Sequence, residues 1–291
     1  MQLTYLGPEG TFTHSAARHF ASIIRTAPVL RPCATISEVV RFAVSDGSFG
    51  VVPYHNLIDG LVQVSLDSLL LSNAVIYAAM QQPIRIAVGR APGAVDSAPV
   101  YSHTKALAQC ADWLDRHAPA REQVAVASTA AGVTCAVEHD ALALGDEAHL
   151  RGRGLEIVQA DASSPYFGRT NYTEFLLIGP PGLTPPIDAT NTRCVIACAP
   201  QTDRPGLLAD ILGLLSMFGF NLARLHSRPA VSAAPTQLDP QVFYLEIAGA
   251  PSDDELAICA RALRQTLGGP EAMDVLIELG RYPLSGLTDH L

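Results

Sequence analysis

Tyr5-Leu-Gly-Pro-Glu-Gly-Thr-Phe-Thr-His-Ser-Ala-Ala17 joins a short apolar strand to the start of a helix. Tyr5 and Leu6 end the strand, and Gly7, Pro8 and Gly10 supply the turn. Thr11 and Thr13 are suitable helix N-caps, and Ser-Ala-Ala17 opens the helix. A strand, a glycine turn and a helix in that order present backbone N–H groups and a hydroxyl to an anion. The same residues also suit a tight connection that binds nothing. Gly50-Val-Val-Pro-Tyr-His-Asn56 is a second apolar strand with polar residues at its end, and it turns the reading toward a ligand site.

The 291 residues suffice for two domains and a substantial core. With 48% hydrophobic and 16% charged residues the chain reads as globular rather than disordered. A net charge of −9 argues against a nucleic-acid binder or a polybasic membrane-surface protein. A small anionic substrate is still compatible, because its site needs only a few local donors. No apolar run reaches membrane-spanning length and no targeting segment is evident, so a cytoplasmic location is the expectation. Cys33, Cys110, Cys135, Cys194, Cys198 and Cys259 lie scattered in apolar surroundings, as reduced, buried thiols do. No metal is expected, since Cys194 and Cys198 have no second pair to complete a zinc site.

Strand-like runs alternate with helical stretches through about residue 178, which predicts an α/β unit with largely parallel strands. Gly179-Pro-Pro-Gly-Leu-Thr-Pro-Pro186 then reads as a linker. Beyond it a β-α-β-β-α-β order follows, from a strand at Arg193–Ala199 to a last strand at Met273–Leu279, which predicts a ferredoxin-like sandwich. The expected domains are residues 1–179, a linker at 180–190, and residues 191–285.

With these segments in place the sequence resembles the prephenate dehydratase family, a catalytic domain followed by an ACT regulatory domain. Tyr5 to Ala17 fits the family opening, and Leu66-Asp-Ser-Leu69 fits its "TLDSL" segment with Ser65 in place of Thr. Ser102-His-Thr-Lys-Ala-Leu-Ala-Gln-Cys110 is similar to "SHPQALAQC", and Ser128-Thr-Ala-Ala131 to "STAAA". Asn171-Tyr-Thr-Glu-Phe175 stands where the family has "NxTRF". In the C-terminal part, Asp203-Arg-Pro-Gly-Leu-Leu208, His226-Ser-Arg-Pro229 and Leu279-Gly-Arg-Tyr-Pro283 resemble the ACT strings.

The resemblance implies two α/β subdomains of the type II periplasmic-binding-protein kind with the active site in the cleft between them. It also implies prephenate as substrate, no organic cofactor, and a homodimer or homotetramer. Read from the residues, Thr11, Ser102, Ser128 and Thr129 each follow a predicted strand and open a helix. Four hydroxyls backed by helix N-termini suit two carboxylates. His103 joins this set as either a substrate contact or a turn histidine, and Asn171 and Arg169 are further candidates. Phe175 and Tyr5 are candidates for cleft walls or for core, while Lys105 suits a solvated first helical turn.

The chain departs from the family at chemically important places. A dehydratase must protonate a departing ring hydroxyl, and the family's "PIEN" segment carries a Glu beside the cleft. Here it reads Pro53-Tyr-His-Asn56, with His55 for the acid, and Glu174 replaces the Arg of "NxTRF". The catalytic candidates are Thr173, His55 and Asn56. With the acid replaced, leaving-group protonation reads as given up while prephenate binding is kept, and decarboxylation without loss of the hydroxyl, giving a dihydro-4-hydroxyphenylpyruvate for a specialised-metabolite pathway, is the favoured expectation, as in the non-aromatising prephenate decarboxylases that resemble this family. The alternatives are an ordinary dehydratase, with His55 itself able to donate the proton and Glu174 pointing away from substrate on its strand, and a non-catalytic amino-acid or prephenate sensor. An amino-acid effector is expected at Asp203, Gly206, Leu207 and Leu208 with His226, Ser227, Arg228 and Pro229; His226 for the usual Glu leaves its identity open.

Overall fold

The computed structural model describes residues 1–184, 190–200, 204–229, 241–267 and 276–285. The first lobe contains β1 (Gln2–Leu6), α1 (Phe12–Ile23), β2 (Val29–Cys33), α2 (Ile36–Ser45), β3 (Phe49–Asn56), β4 (Gly60–Leu61), α3 (Gln63–Ser72) and β5 (Val75–Pro83). The chain then crosses into a second lobe of β6 (Ala87–Arg90), β7 (Val100–His103), α4 (Thr104–Gln109), α5 (Ala111–His117), β8 (Gln123–Val126), α6 (Thr129–Glu138), β9 (Leu142–Gly145), α7 (Glu147–Gly152) and β10 (Glu156–Gln159). It returns as β11 (Tyr172–Gly179) to pair between β3 and β5. Two crossings between two sheets make a cleft flanked by two connecting segments.

Parallel pairing holds in β2–β1–β3 and in β8–β7–β9, as the alternating pattern predicts. The returning β11 is antiparallel to both of its neighbours, so the first sheet is mixed. Pro32 is accommodated because β2 is an edge strand. Helix starts follow local chemistry. Thr11, Thr35 and Ser128 each accept a backbone N–H at the beginning of α1, α2 and α6. No helix among the described residues is long and apolar enough to cross a membrane.

The C-terminal unit comprises β12 (Arg193–Cys198), α8 (Leu207–Met217), β13 (Asn221–Pro229), β14 (Gln241–Ala248), α9 (Asp253–Leu267), β15 (Leu276–Tyr282) and β16 (Leu284–Ser285). Its antiparallel sheet runs β13-β14-β12-β15, the ferredoxin-like order. Residues 273–275 of the expected last strand lie outside the described residues.

β12 is apolar on both faces because both are covered. Cys194, Ile196 and Cys198 pack under α8 and α9, whereas Val195 and Ala197 pack with Val52, Tyr54 and Leu176 of the first lobe. The thiols of Cys194 and Cys198 are pushed up to about 12 by burial, which leaves them unreactive packing groups. Two further features seat the sheet on the first lobe. Gly280, at φ +147°, lies so close to β5 that a Cβ would sit 2.5 Å from the Ile76 carbonyl oxygen. β16 adds itself in parallel to β5. The C-terminal sheet is thus continuous with the core of the first lobe.

Candidate active site

Asn56 and Thr173 face each other across the β3–β11 pair at the mouth of the cleft. Asn56 Oδ1 accepts from the backbone N–H groups of Ile58 and Asp59 at 2.9 and 3.0 Å. Those two donors fix the amide orientation, so Nδ2 must donate, and it does so to Thr173 Oγ1 at 2.9 Å and to the Tyr172 carbonyl at 3.2 Å. Thr173 Oγ1 is therefore engaged as an acceptor from Asn56, and Thr173 lines the cleft. Two strands and one turn hold the hydroxyl oxygen in a defined place.

The cavity in front of it has a volume of about 340 Å³, enough for a small ring-bearing dianion. Thr11, Thr13, Ser128 and Thr129 line it from the N-termini of α1 and α6, one helix from each lobe. The positive ends of two helices therefore converge on one space. Ser128 accepts from Ala131 N at 3.0 Å, and Thr11 accepts from His14 N at 3.2 Å while donating to the Pro8 carbonyl at 3.0 Å. His103 lies on the wall, its Nδ1 accepting from Lys105 N at 3.2 Å. Lys105 reaches the rim, where its ammonium pairs with Asp59 at 2.9 Å. Phe175, 1% exposed, lines the apolar side of the cavity. Asn171 also faces it, its Oδ1 buried without a protein donor.

Gln109 was not anticipated, although it lies within the quoted Ser102–Cys110 string. It stands one helical turn after Lys105 on the same face of α4 and enters the cleft beside Asn171.

Three sequence expectations are corrected. Ser102 is fully buried, and its hydroxyl donates to the Leu144 carbonyl at 2.8 Å, tying β7 to β9 instead of meeting a ligand. Arg169 sits exposed on a small bridge with Tyr166, away from the cavity lining. His55 does not face the cleft. The β3–β11 register steps from Phe175↔Pro53 to Glu174↔His55, leaving Tyr54 as an extra residue. In an uninterrupted strand His55 would share the face of Pro53. The bulge reverses that parity, returning Asn56 to the cleft and turning His55 toward the C-terminal domain.

Behind the strands, His55 meets a cluster of charge. Burial lowers its pKa, and the nearby Arg224 guanidinium lowers it further. His226 is lowered for the same two reasons, so both imidazoles are favoured in the neutral form. Tyr5 proves to be core, 2% exposed, with its ring 5.2 Å from that of His14.

The expected effector residues divide. Gly206 takes a left-handed conformation, φ +85°, at the start of α8, and Leu207 and Leu208 pack into the core beneath it. Ser227 and Pro229 are exposed on β13. His226 and Arg228 instead face the catalytic lobe, where Arg228 pairs with Asp67 of α3. Asp203 lies outside the described residues.

A two-lobed cleft with a hydroxyl, paired helix N-termini and a docked ferredoxin-like domain defines a class of proteins built to hold a small anion. Comparison with known proteins narrows the class: the profile described as prephenate dehydratase matches residues 3–182. The chain belongs to the prephenate dehydratase family, whose members act as lyases on prephenate. It is 30% identical to a bifunctional chorismate mutase/prephenate dehydratase of Aquifex aeolicus over 99% of this chain and 75% of that protein. A prephenate dehydratase of Mycolicibacterium vanbaalenii is 33% identical, with 90% of this chain and 86% of that protein covered. The solved Arthrobacter aurescens prephenate dehydratase in complex with L-Phe superposes with a TM-score of 0.80 at 25% identity, covering 97% of this chain and 90% of that one.

Proposed function

We propose that this chain is a prephenate dehydratase, converting prephenate to phenylpyruvate with loss of CO₂ and water. The observation that carries this is the position of the departures from the family pattern. His55 and Glu174 lie behind the strands, while Asn56 and Thr173 remain in front and bonded to each other. The decarboxylase reading rested on the replaced acid; with His55 behind the strands, that replacement lies away from the cleft and favours it less.

The chemistry follows from the geometry. As the bond to the ring carboxylate breaks, its electron pair enters the diene and expels the hydroxyl from the far side of the ring. Hydroxide leaves poorly unless a donor stabilises the charge growing on its oxygen. Thr173, with its oxygen held by Asn56, donates its proton in that direction. The helix N-termini at Thr11 and Ser128 anchor the pyruvyl carboxylate, which stays charged throughout. Phe175 and its apolar surroundings take the ring, where the developing aromatic system prefers a dry wall.

The C-terminal unit is read as an ACT domain taking an amino-acid effector near Gly206 and Ser227, in an assembly of at least two chains. The fold likeness to the L-Phe-bound relative supports that reading. One assay decides the reaction. Purified protein and prephenate should give phenylpyruvate, seen by its enol absorbance in alkali and by mass. A keto acid that keeps its ring hydroxyl would reinstate the decarboxylase, and no consumption of prephenate would favour the sensor.

A further inference from the structure

His55, Glu174 and His226 belong to strings that the sequence assigns to two different sites, yet they meet at one place between the domains. Glu174 is 0% exposed, and its carboxylate forks onto the Arg224 guanidinium, Oε1 to Nη1 at 3.2 Å and Oε2 to Nη2 at 2.8 Å. Arg224 Nη1 also donates to Glu246 Oε2 at 2.8 Å. Tyr54 OH donates to that same oxygen at 3.2 Å, and Arg193 Nε stands 3.2 Å from Glu246 Oε1. Gln81 Nε2 completes the shell with a 3.4 Å bond to Glu174 Oε2. Two buried carboxylates are balanced by two guanidinium groups, which stay partly exposed.

We propose that Arg224, a residue of the C-terminal domain, is a positioning residue for the dehydratase reaction: its forked pair with Glu174 holds the Thr173 hydroxyl in register with Asn56. This rests on the reading of Thr173 as the proton donor. Glu174 and Thr173 share a peptide unit and point to opposite faces of β11, so the carboxylate cannot shift along the strand without carrying the hydroxyl with it. β3 is held from the same side. Tyr54 is bound by Glu246 two residues before Asn56, at the bulge that aims Asn56 into the cleft. Both strands that bear the reacting pair are thus gripped from behind by groups of β13 and β14. The planar guanidinium suits the task because it fixes two oxygens at once, which a lysine cannot do. Removal of either partner leaves a buried charge uncompensated, so the strand must move or water must enter.

The test uses full-length Glu174→Arg, Arg224→Glu and the double variant, assayed for phenylpyruvate formation at a temperature well below each melting transition. The double exchange keeps two positive and two negative groups in the cluster. Each single variant should lose on the order of 10- to 100-fold in kcat with little change in KM, because the hydroxyl on β11 is displaced while the N-termini of α1 and α6, which belong to neither gripped strand, are not. The double should recover much of that loss. Arg224→Lys, which keeps the charge but not the fork, should show a smaller kcat loss with KM again unchanged, and it provides the reading if a reversal does not fold. A folded Arg224 variant with wild-type kcat would overturn the proposal. So would a folded double variant no faster than either single, or a loss confined to KM or to melting temperature. Wild-type protein that leaves prephenate unconsumed would overturn the functional reading, and this role with it. The other failures strike the positioning role alone.

Discussion

Replacing Thr173 by Val isolates one hydroxyl. The two side chains have nearly the same shape, and Asn56 keeps three of its four bonds, to the Tyr172 carbonyl and to the N–H groups of Ile58 and Asp59. The structural loss is the single 2.9 Å bond from Asn56 Nδ2, worth about 1 kcal/mol. In a protein of this size that lowers the melting temperature by roughly 2–4 °C. The catalytic loss should be larger. A positioned proton donor contributes at least ~10²-fold, equivalent to about 2.7 kcal/mol of barrier. The expected signature is therefore a melting curve barely moved and a kcat reduced by two or more decades, with Thr173→Ser recovering part of it. Phenylpyruvate formation from prephenate, followed continuously and checked by mass, gives kcat and KM separately. A folded Thr173→Val enzyme within about tenfold of wild-type kcat would remove Thr173 as the donor.

His55→Glu should not change the product, since the side chain lies behind the sheet; it should lower stability by adding a carboxylate beside Glu174 and Glu246. A shift in the proportion of phenylpyruvate would show that this position does reach the substrate. Ser102→Ala should lower the melting temperature by leaving the Leu144 carbonyl without its donor, a loss of about 1–3 kcal/mol, with KM for prephenate unchanged. A raised KM would return Ser102 to the substrate site. Acid should weaken the fold through His55 and His226. Their pKa values are lowered in the native state by burial and then by Arg224, so the unfolded chain binds protons first as pH falls below about 6.5. Stability is then lost on acidification through that range. The His55→Gln/His226→Gln variant should lose less between about pH 7.5 and 5.5 than wild type, in melting curves taken across the series. The comparison separates the imidazoles from Glu246, whose pKa burial raises and whose contribution has the opposite sign. Equal slopes would show that neither histidine titrates with folding.

What could be read from the sequence, and what could not, follows the distance over which each feature is decided. The caps at Thr11 and Ser128 involve residues three positions apart, so strand, turn and helix start are all visible in the string itself. The ferredoxin-like order is likewise a matter of consecutive periodicities. Ser102 carries the same local signature as Ser128, but the carbonyl that takes its hydroxyl belongs to Leu144 in another strand. No local pattern separates the two serines.

His55 is the sharper case, because the reaction assigned to the chain depended on where it points. Period-two alternation from Pro53 sends it toward substrate; the bulge at Tyr54 sends it away. Nothing in Pro53-Tyr-His-Asn56 announces the extra residue. Its partners are both local and remote: β4 pairs with His55 and Asn56, the Tyr54 hydroxyl reaches Glu246, and Glu174 beside His55 meets Arg224, the last two in a domain that begins after the linker. A substitution that looks like the loss of a catalytic acid is therefore, in three dimensions, part of a charge arrangement shared by two domains. In the proposed reaction the chemistry in the cleft falls to the neighbours that did not change, Asn56 and Thr173. For a strand that separates an active site from a domain interface, the identity of a residue says little until its parity is known, and the face that His55 joins is completed by groups such as Glu246, nearly two hundred positions away.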